Sequence, residues 1–116
     1  MKIIKRNTYL NKLINVKDVP DIKVITGVRR AGKSKLMDLY NDYLNNEGNN
    51  IIHIKLNLKK FEKLLNADNL YNYISNSYVD NKNNYLLIDE IQMCDGFERI
   101  INSLYEEEKY DIYLTG

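Results

Sequence analysis

The chain has 116 residues, 17 basic and 16 acidic side chains, and a formal net charge of +1. Hydrophobic residues make up 44% and charged ones 28%, enough apolar material to bury a core and too much to leave the chain disordered. The near-neutral balance excludes a strongly basic nucleic-acid sleeve. The single cysteine, Cys94, excludes an internal disulfide framework and fits a reducing cytoplasm. No apolar run approaches the roughly 20 residues of a membrane span, and Met1 to Asn15 is too polar and basic for a signal peptide.

Along the chain, Tyr9, Leu10, Leu13 and Ile14 give Thr8 to Val16 the spacing of a short amphipathic helix. Ile22 to Thr26 is a β-rich run ending at Gly27 and reads as a strand. Lys33 to Leu44 carries Leu36, Leu39, Tyr40, Tyr43 and Leu44 at helical spacing, with Gly48 beyond as a stop. Ile51 to Leu58 alternates and predicts a second strand. Leu58 to Asn66 and Asn69 to Val79 read as two helices hinged at Ala67-Asp68. Tyr85 to Ile88 is wholly apolar, as in a strand covered on both faces. Gly96 to Lys109 puts Phe97, Ile100, Ile101, Leu104 and Tyr105 on one helical face, and Asp111 to Thr115 reads as a fourth strand. Strands alternating with helices predict βαβ units and a parallel sheet. The stop directly after a strand predicts a segment of a longer protein.

Gly27-Val28-Arg29-Arg30-Ala31-Gly32-Lys33-Ser34 fits the spacing G-x-x-x-x-G-K-S between a predicted strand and a predicted helix. Glycines let such a loop fold so that its N–H groups face an anion. The following helix adds the positive end of its dipole. Lys33 can reach β- and γ-phosphates, and the Ser34 hydroxyl can ligate Mg²⁺. Arg29 and Arg30 read either as contacts to phosphate or to a neighbouring acidic group, or as a solvated pair at the loop tip. Downstream, the apolar run Leu86-Leu87-Ile88 ends in Asp89-Glu90. An aspartate there serves Mg²⁺ beside the Ser34 hydroxyl. A glutamate one residue on can polarise an attacking water, which favours hydrolysis over transfer to a metabolite. No Asn-Lys-x-Asp guanine-reading pattern is present, which favours ATP over GTP.

GVRRAGKS at Gly27 to Ser34, LIDEIQ at Leu87 to Gln92, and the closing Leu114-Thr115-Gly116 resemble the AAA-type predicted ATPases of bacteria and archaea. Lys5-Arg6-Asn7-Thr8-Tyr9-Leu10 resembles that family's lead-in. The resemblance covers nearly the whole chain. It implies a P-loop NTPase three-layer α/β sandwich with parallel strand order 2-3-4-1, cut before the fifth strand and helical lid. Residues 1–20 would be the lead-in and 21–116 part of the ATPase domain. It implies that the backbone from Gly27 through Val28, Arg29, Arg30, Ala31, Gly32, Lys33 and Ser34 to Lys35 binds the phosphates of ATP. Ser34 and Asp89 would serve Mg²⁺, and Glu90 and Lys33 would carry the chemistry. Arg6 and Tyr9 would lie toward the adenine. The partners implied are ATP, a further C-terminal domain and a homo-oligomer, with nucleic acid allowed but not indicated by charge. Hydrolysis by the segment alone would be impaired, because the sensor side chains after Gly116 and any arginine finger are absent. Two other functions fit the same motifs: a nucleotide-dependent binding switch with little turnover, and a small-molecule phosphotransferase.

Among smaller signals, His53 lacks a second His or Cys nearby, so a metal role is disfavoured. Cys94 reads as an ordinary, partly buried thiol. Tyr71, Tyr73 and Tyr78 read as packing rather than a stacking surface, and Glu106-Glu107-Glu108 as a solvated helix end.

Overall fold

The computed structural model describes the backbone of residues 2–26 and 30–116 and the side chains of residues 9–26 and 32–116. In chain order, helix α1 spans Lys2–Asn15, strand β1 Lys23–Ile25, helix α2 Arg30–Asn45 and strand β2 Asn50–Lys55. A 3-10 helix at Lys59–Leu65 leads to α3 at Ala67–Ser77 and β3 at Asn84–Asp89. A short 3-10 turn at Ile91–Met93, α4 at Phe97–Glu106 and β4 at Tyr110–Thr115 complete the chain.

Apolar periodicity explains which face of each element is covered. The strands form one parallel sheet in the order β1-β4-β3-β2, the order the family resemblance implies read from the other edge. Side chains alternate between its two faces. Ile52, Ile54, Leu86, Ile88, Ile112 and Leu114 pack under Leu64, Leu70, Ile74, Ile100, Ile101 and Leu104 from the 3-10 helix, α3 and α4. On the opposite face, Ile25, Tyr85, Leu87 and Tyr113 pack against Leu13 of α1 and Leu36, Met37, Tyr40 and Leu44 of α2. Two cores on one sheet make the three-layer sandwich. All six side chains of β3 are buried, which is why its run carries no polar alternation.

Local chemistry sets the boundaries. Asn66 caps α3, its Oδ1 accepting from the Asn69 N–H at 3.0 Å, a contact worth about 1 kcal/mol. Gly48 takes φ +73° in the turn after α2, a conformation glycine adopts without a Cβ clash. The segment read as a helix from Leu58 to Asn66 is a 3-10 helix instead. Its entry residue, Leu58, is extended and offers no side-chain cap. A short uncapped piece between a strand and a new helix favours the tighter i to i+3 turn. Helix α1 begins at Lys2, well before the apolar stretch at Tyr9, and packs on α2.

A polar cluster joins α1's exit to the amino ends of the strands. The Asp18 N–H donates to Asp111 Oδ2 at 2.9 Å, and the Tyr85 hydroxyl donates to Asp18 Oδ1 at 2.7 Å. Tyr113 donates to Asp111 Oδ2 at 2.7 Å, Tyr40 donates to Tyr113 at 2.6 Å, and Lys23 pairs with Asp111. Burial raises the Tyr40 and Tyr113 hydroxyls far above the usual tyrosine range, so both stay protonated donors. Burial, and then the bond to Asp18, push Tyr85 up to about 12.

Candidate functional site

In a parallel α/β sheet, ligands sit outside the carboxyl ends of the strands. That end is where β1 leads into α2 and where β3 finishes at Asp89. Gly27, Val28 and Arg29 lie outside the described residues, as do the side chains of Arg30 and Ala31 and that of Arg6. Gly32, Lys33 and Ser34 are half-buried in the opening turns of α2, and Lys35 is exposed. No acidic side chain occupies the first turn of this helix. The positive end of its dipole is therefore not neutralised from within the helix, the condition an anion site needs. Tyr9 is half-buried against the α1–α2 core, with the Lys12 ammonium 5.5 Å from its ring centre.

Asp38 lies one turn beyond Ser34, on the same side of α2. Its Oδ1 pairs with Lys55 Nζ at 2.8 Å, fastening α2 to the carboxyl end of β2. Lys55 is the register partner of Asp89 on β3. Tyr85 and Leu87 belong to the core under α2, so strand alternation turns Asp89 to that side as well. Asp89 is 1% exposed, and the Thr115 hydroxyl at the end of β4 donates to its Oδ1. The chain from Ser34 through Asp38 and Lys55 to Asp89 thus brings the helix opening and the buried carboxylate to one end of the sheet.

Glu90 leaves the strand through a left-handed backbone, φ 59° and ψ 49°, which costs a non-glycine residue about 1 kcal/mol. Its N–H donates to Thr115 Oγ1 at 3.0 Å. Its Oε1 accepts from Gln92 Nε2 at 2.7 Å. Thr115 is fully buried and holds two consecutive residues at once, the carboxylate of Asp89 and the backbone of Glu90. The closing Leu-Thr-Gly and the Gln of DEIQ were legible as motif letters. Their contacts to Asp89 and Glu90 were not, because the partners come from different strands and turns.

His53 lies on β2 two residues before Lys55, and its Nε2 is buried without a hydrogen-bond partner. Burial, then the nearby Lys55 charge, lowers its pKa. Cys94 is fully buried rather than partly so, and burial raises its thiol pKa. Tyr71 and Tyr78 are half-buried but Tyr73 is 41% exposed. Within the acidic run, Glu107 accepts from the Tyr71 hydroxyl. Among the described residues, no group of three or more His, Cys, Asp or Glu side chains could hold a metal by itself. Nor is any helix among them long and apolar enough to cross a membrane.

The parallel sheet covered by helices on both faces, with a Gly-Lys-Ser helix opening and an acidic strand end both at its carboxyl edge, defines a P-loop NTPase-like domain. Residues 19–116 match the family model described as an AAA domain, and the chain belongs to that family. It is accordingly a nucleotide-binding, ATPase-like domain. It is also 37% identical over 118 residues to a Haemophilus influenzae protein (strain ATCC 51907 / DSM 11121 / KW20 / Rd) described only as an uncharacterized protein. That match covers 98% of this chain and 30% of the relative, so the chain spans under a third of the curated relative's length. No solved structure gives a significant match.

Proposed function

We propose that the domain binds ATP with Mg²⁺ and hydrolyses it, in the cytoplasm, as part of a longer protein. The observation that carries this reading is the buried strand end, where Asp89 is held by Thr115 and Glu90 follows in a left-handed turn. The donor set fits the metal. Mg²⁺ keeps several waters and takes one or two carboxylates plus phosphate oxygens, not an all-protein cage. Ser34 and Asp89 would hold it. When bound it supplies positive charge against the β- and γ-phosphate oxygens.

The remaining roles belong to the chain. The backbone from Gly27 to Lys35 would cradle the phosphates, with the α2 dipole behind it. Lys33 would neutralise charge developing on the phosphates. Glu90 would orient a water and draw its proton as the water oxygen bonds to the γ-phosphorus. The bond from that phosphorus to the bridging oxygen breaks, and its electron pair leaves with ADP. Burial around Glu90 restricts competing water and strengthens the orienting interaction.

The test is Glu90→Gln in the full-length protein. It should keep Mg²⁺·ATP affinity within about threefold and lose at least 10²-fold in kcat, the range of a positioned general base. Turnover equal to the unsubstituted protein would remove Glu90 from the mechanism.

A further inference from the structure

Glu90 is a three-torsion side chain, and ordering it costs conformational entropy. A water-orienting carboxylate needs that freedom removed in one particular arrangement. The backbone end is fixed by Thr115. At the far end, Gln92 Nε2 donates to Oε1 at 2.7 Å. A carboxylate only accepts hydrogen bonds, so the amide must present its NH₂ side to Glu90.

That amide lies against Gly116. A Cβ at position 116 would stand 2.3 Å from Gln92 Oε1 and 3.3 Å from its Cδ. The carboxamide therefore occupies the space any other residue's side chain would fill. The glycine that follows β4 leaves room for this close approach. Gln92 is itself exposed, so core packing does not explain its placement.

We propose that Gln92 is a positioning residue for Glu90, with its carboxamide packed against Gly116. This rests on the reading of Glu90 as the water-orienting group. Gln92→Leu removes the donor. Gln92→Glu, isosteric and exposed, puts an acceptor where the donor was. Gly116→Ala pushes the amide off its seat by way of a flexible side-chain end. Each should lower kcat of the full-length protein 10- to 100-fold with KM for ATP within twofold, since misplacement near 1 Å costs rate on that scale. The double variant Gln92→Leu/Gly116→Ala should be no slower than the slower single one, because both remove the same constraint.

Glu90→Gln, run alongside, separates the two claims. If it abolishes turnover while Gln92→Leu and Gln92→Glu keep kcat within twofold, the positioning role is overturned and the water-orienting role stands. If Glu90→Gln turns over normally, both fall. A rise in kcat for Gln92→Leu, or additive losses in the double variant, also overturns the proposal.

Discussion

Replacing Thr115 with valine keeps the shape of a fully buried side chain and deletes its hydroxyl. Two bonds go with it. The donation to Asp89 Oδ1 is to a buried carboxyl group, and losing such a bond costs about 1.5 to 3 kcal/mol. The Glu90 N–H, 3.0 Å from Thr115 Oγ1, loses its acceptor in a buried place, at about 1 to 3 kcal/mol. No cavity opens, so the sum is about 2.5 to 6 kcal/mol. A chain of this size has roughly 6 to 17 kcal/mol of stability in total, so the loss is a large share of it. It corresponds to a fall of about 10 to 25 °C in Tm. Thr115→Ser keeps the hydroxyl and gives up one methyl, near 1 kcal/mol. Urea denaturation of the three proteins reads the difference directly. A Thr115→Val protein within about 0.5 kcal/mol of the parent, below the worth of a typical hydrogen bond, would refute the bond to Asp89.

Three further outcomes follow from named contacts. His53 is the single histidine, so its ring gives one NMR titration, and burial should place the midpoint below the ordinary value of about 6.5. Because the folded form resists protonation, stability should fall as pH drops from about 6.5 through that midpoint. His53→Gln should lose less stability than the parent across the same window; a midpoint above 6.5 would contradict the burial argument. Tyr113→Phe removes the donor to Asp111 and the acceptor of Tyr40, and should cost about 1 to 3 kcal/mol in urea denaturation. An unchanged midpoint would mean the relay contributes nothing. Asn66→Ala should cost about 1 kcal/mol through the lost α3 cap, read as a Tm shift of a few degrees.

The sheet was legible because its signals are local. Leu86-Leu87-Ile88 carries no polar alternation, and a strand buried on both faces needs none. Gly32-Lys33-Ser34 was legible because one short segment holds the whole motif, and the structure puts these residues in the opening turns of α2. The early start of α1 was not legible, since Lys2 to Asn7 offers no apolar stripe. The 3-10 form at Lys59–Leu65 was hidden because Phe61, Leu64 and Leu65 suit either kind of helix. Distant pairings left no trace in the sequence. Lys55 with Asp38, Thr115 with Asp89 and Gln92 over Gly116 each join residues whose chemistry is ordinary until the sheet brings them together.

The central claim is an ATP site built on the α2 opening and the Asp89 strand end. A titration of the full-length protein with Mg²⁺·ATP, beside Lys33→Ala, tests it most directly. The account predicts saturable binding that the substitution removes. Binding of equal strength in Lys33→Ala, or none in a parent protein shown to be folded, would contradict it.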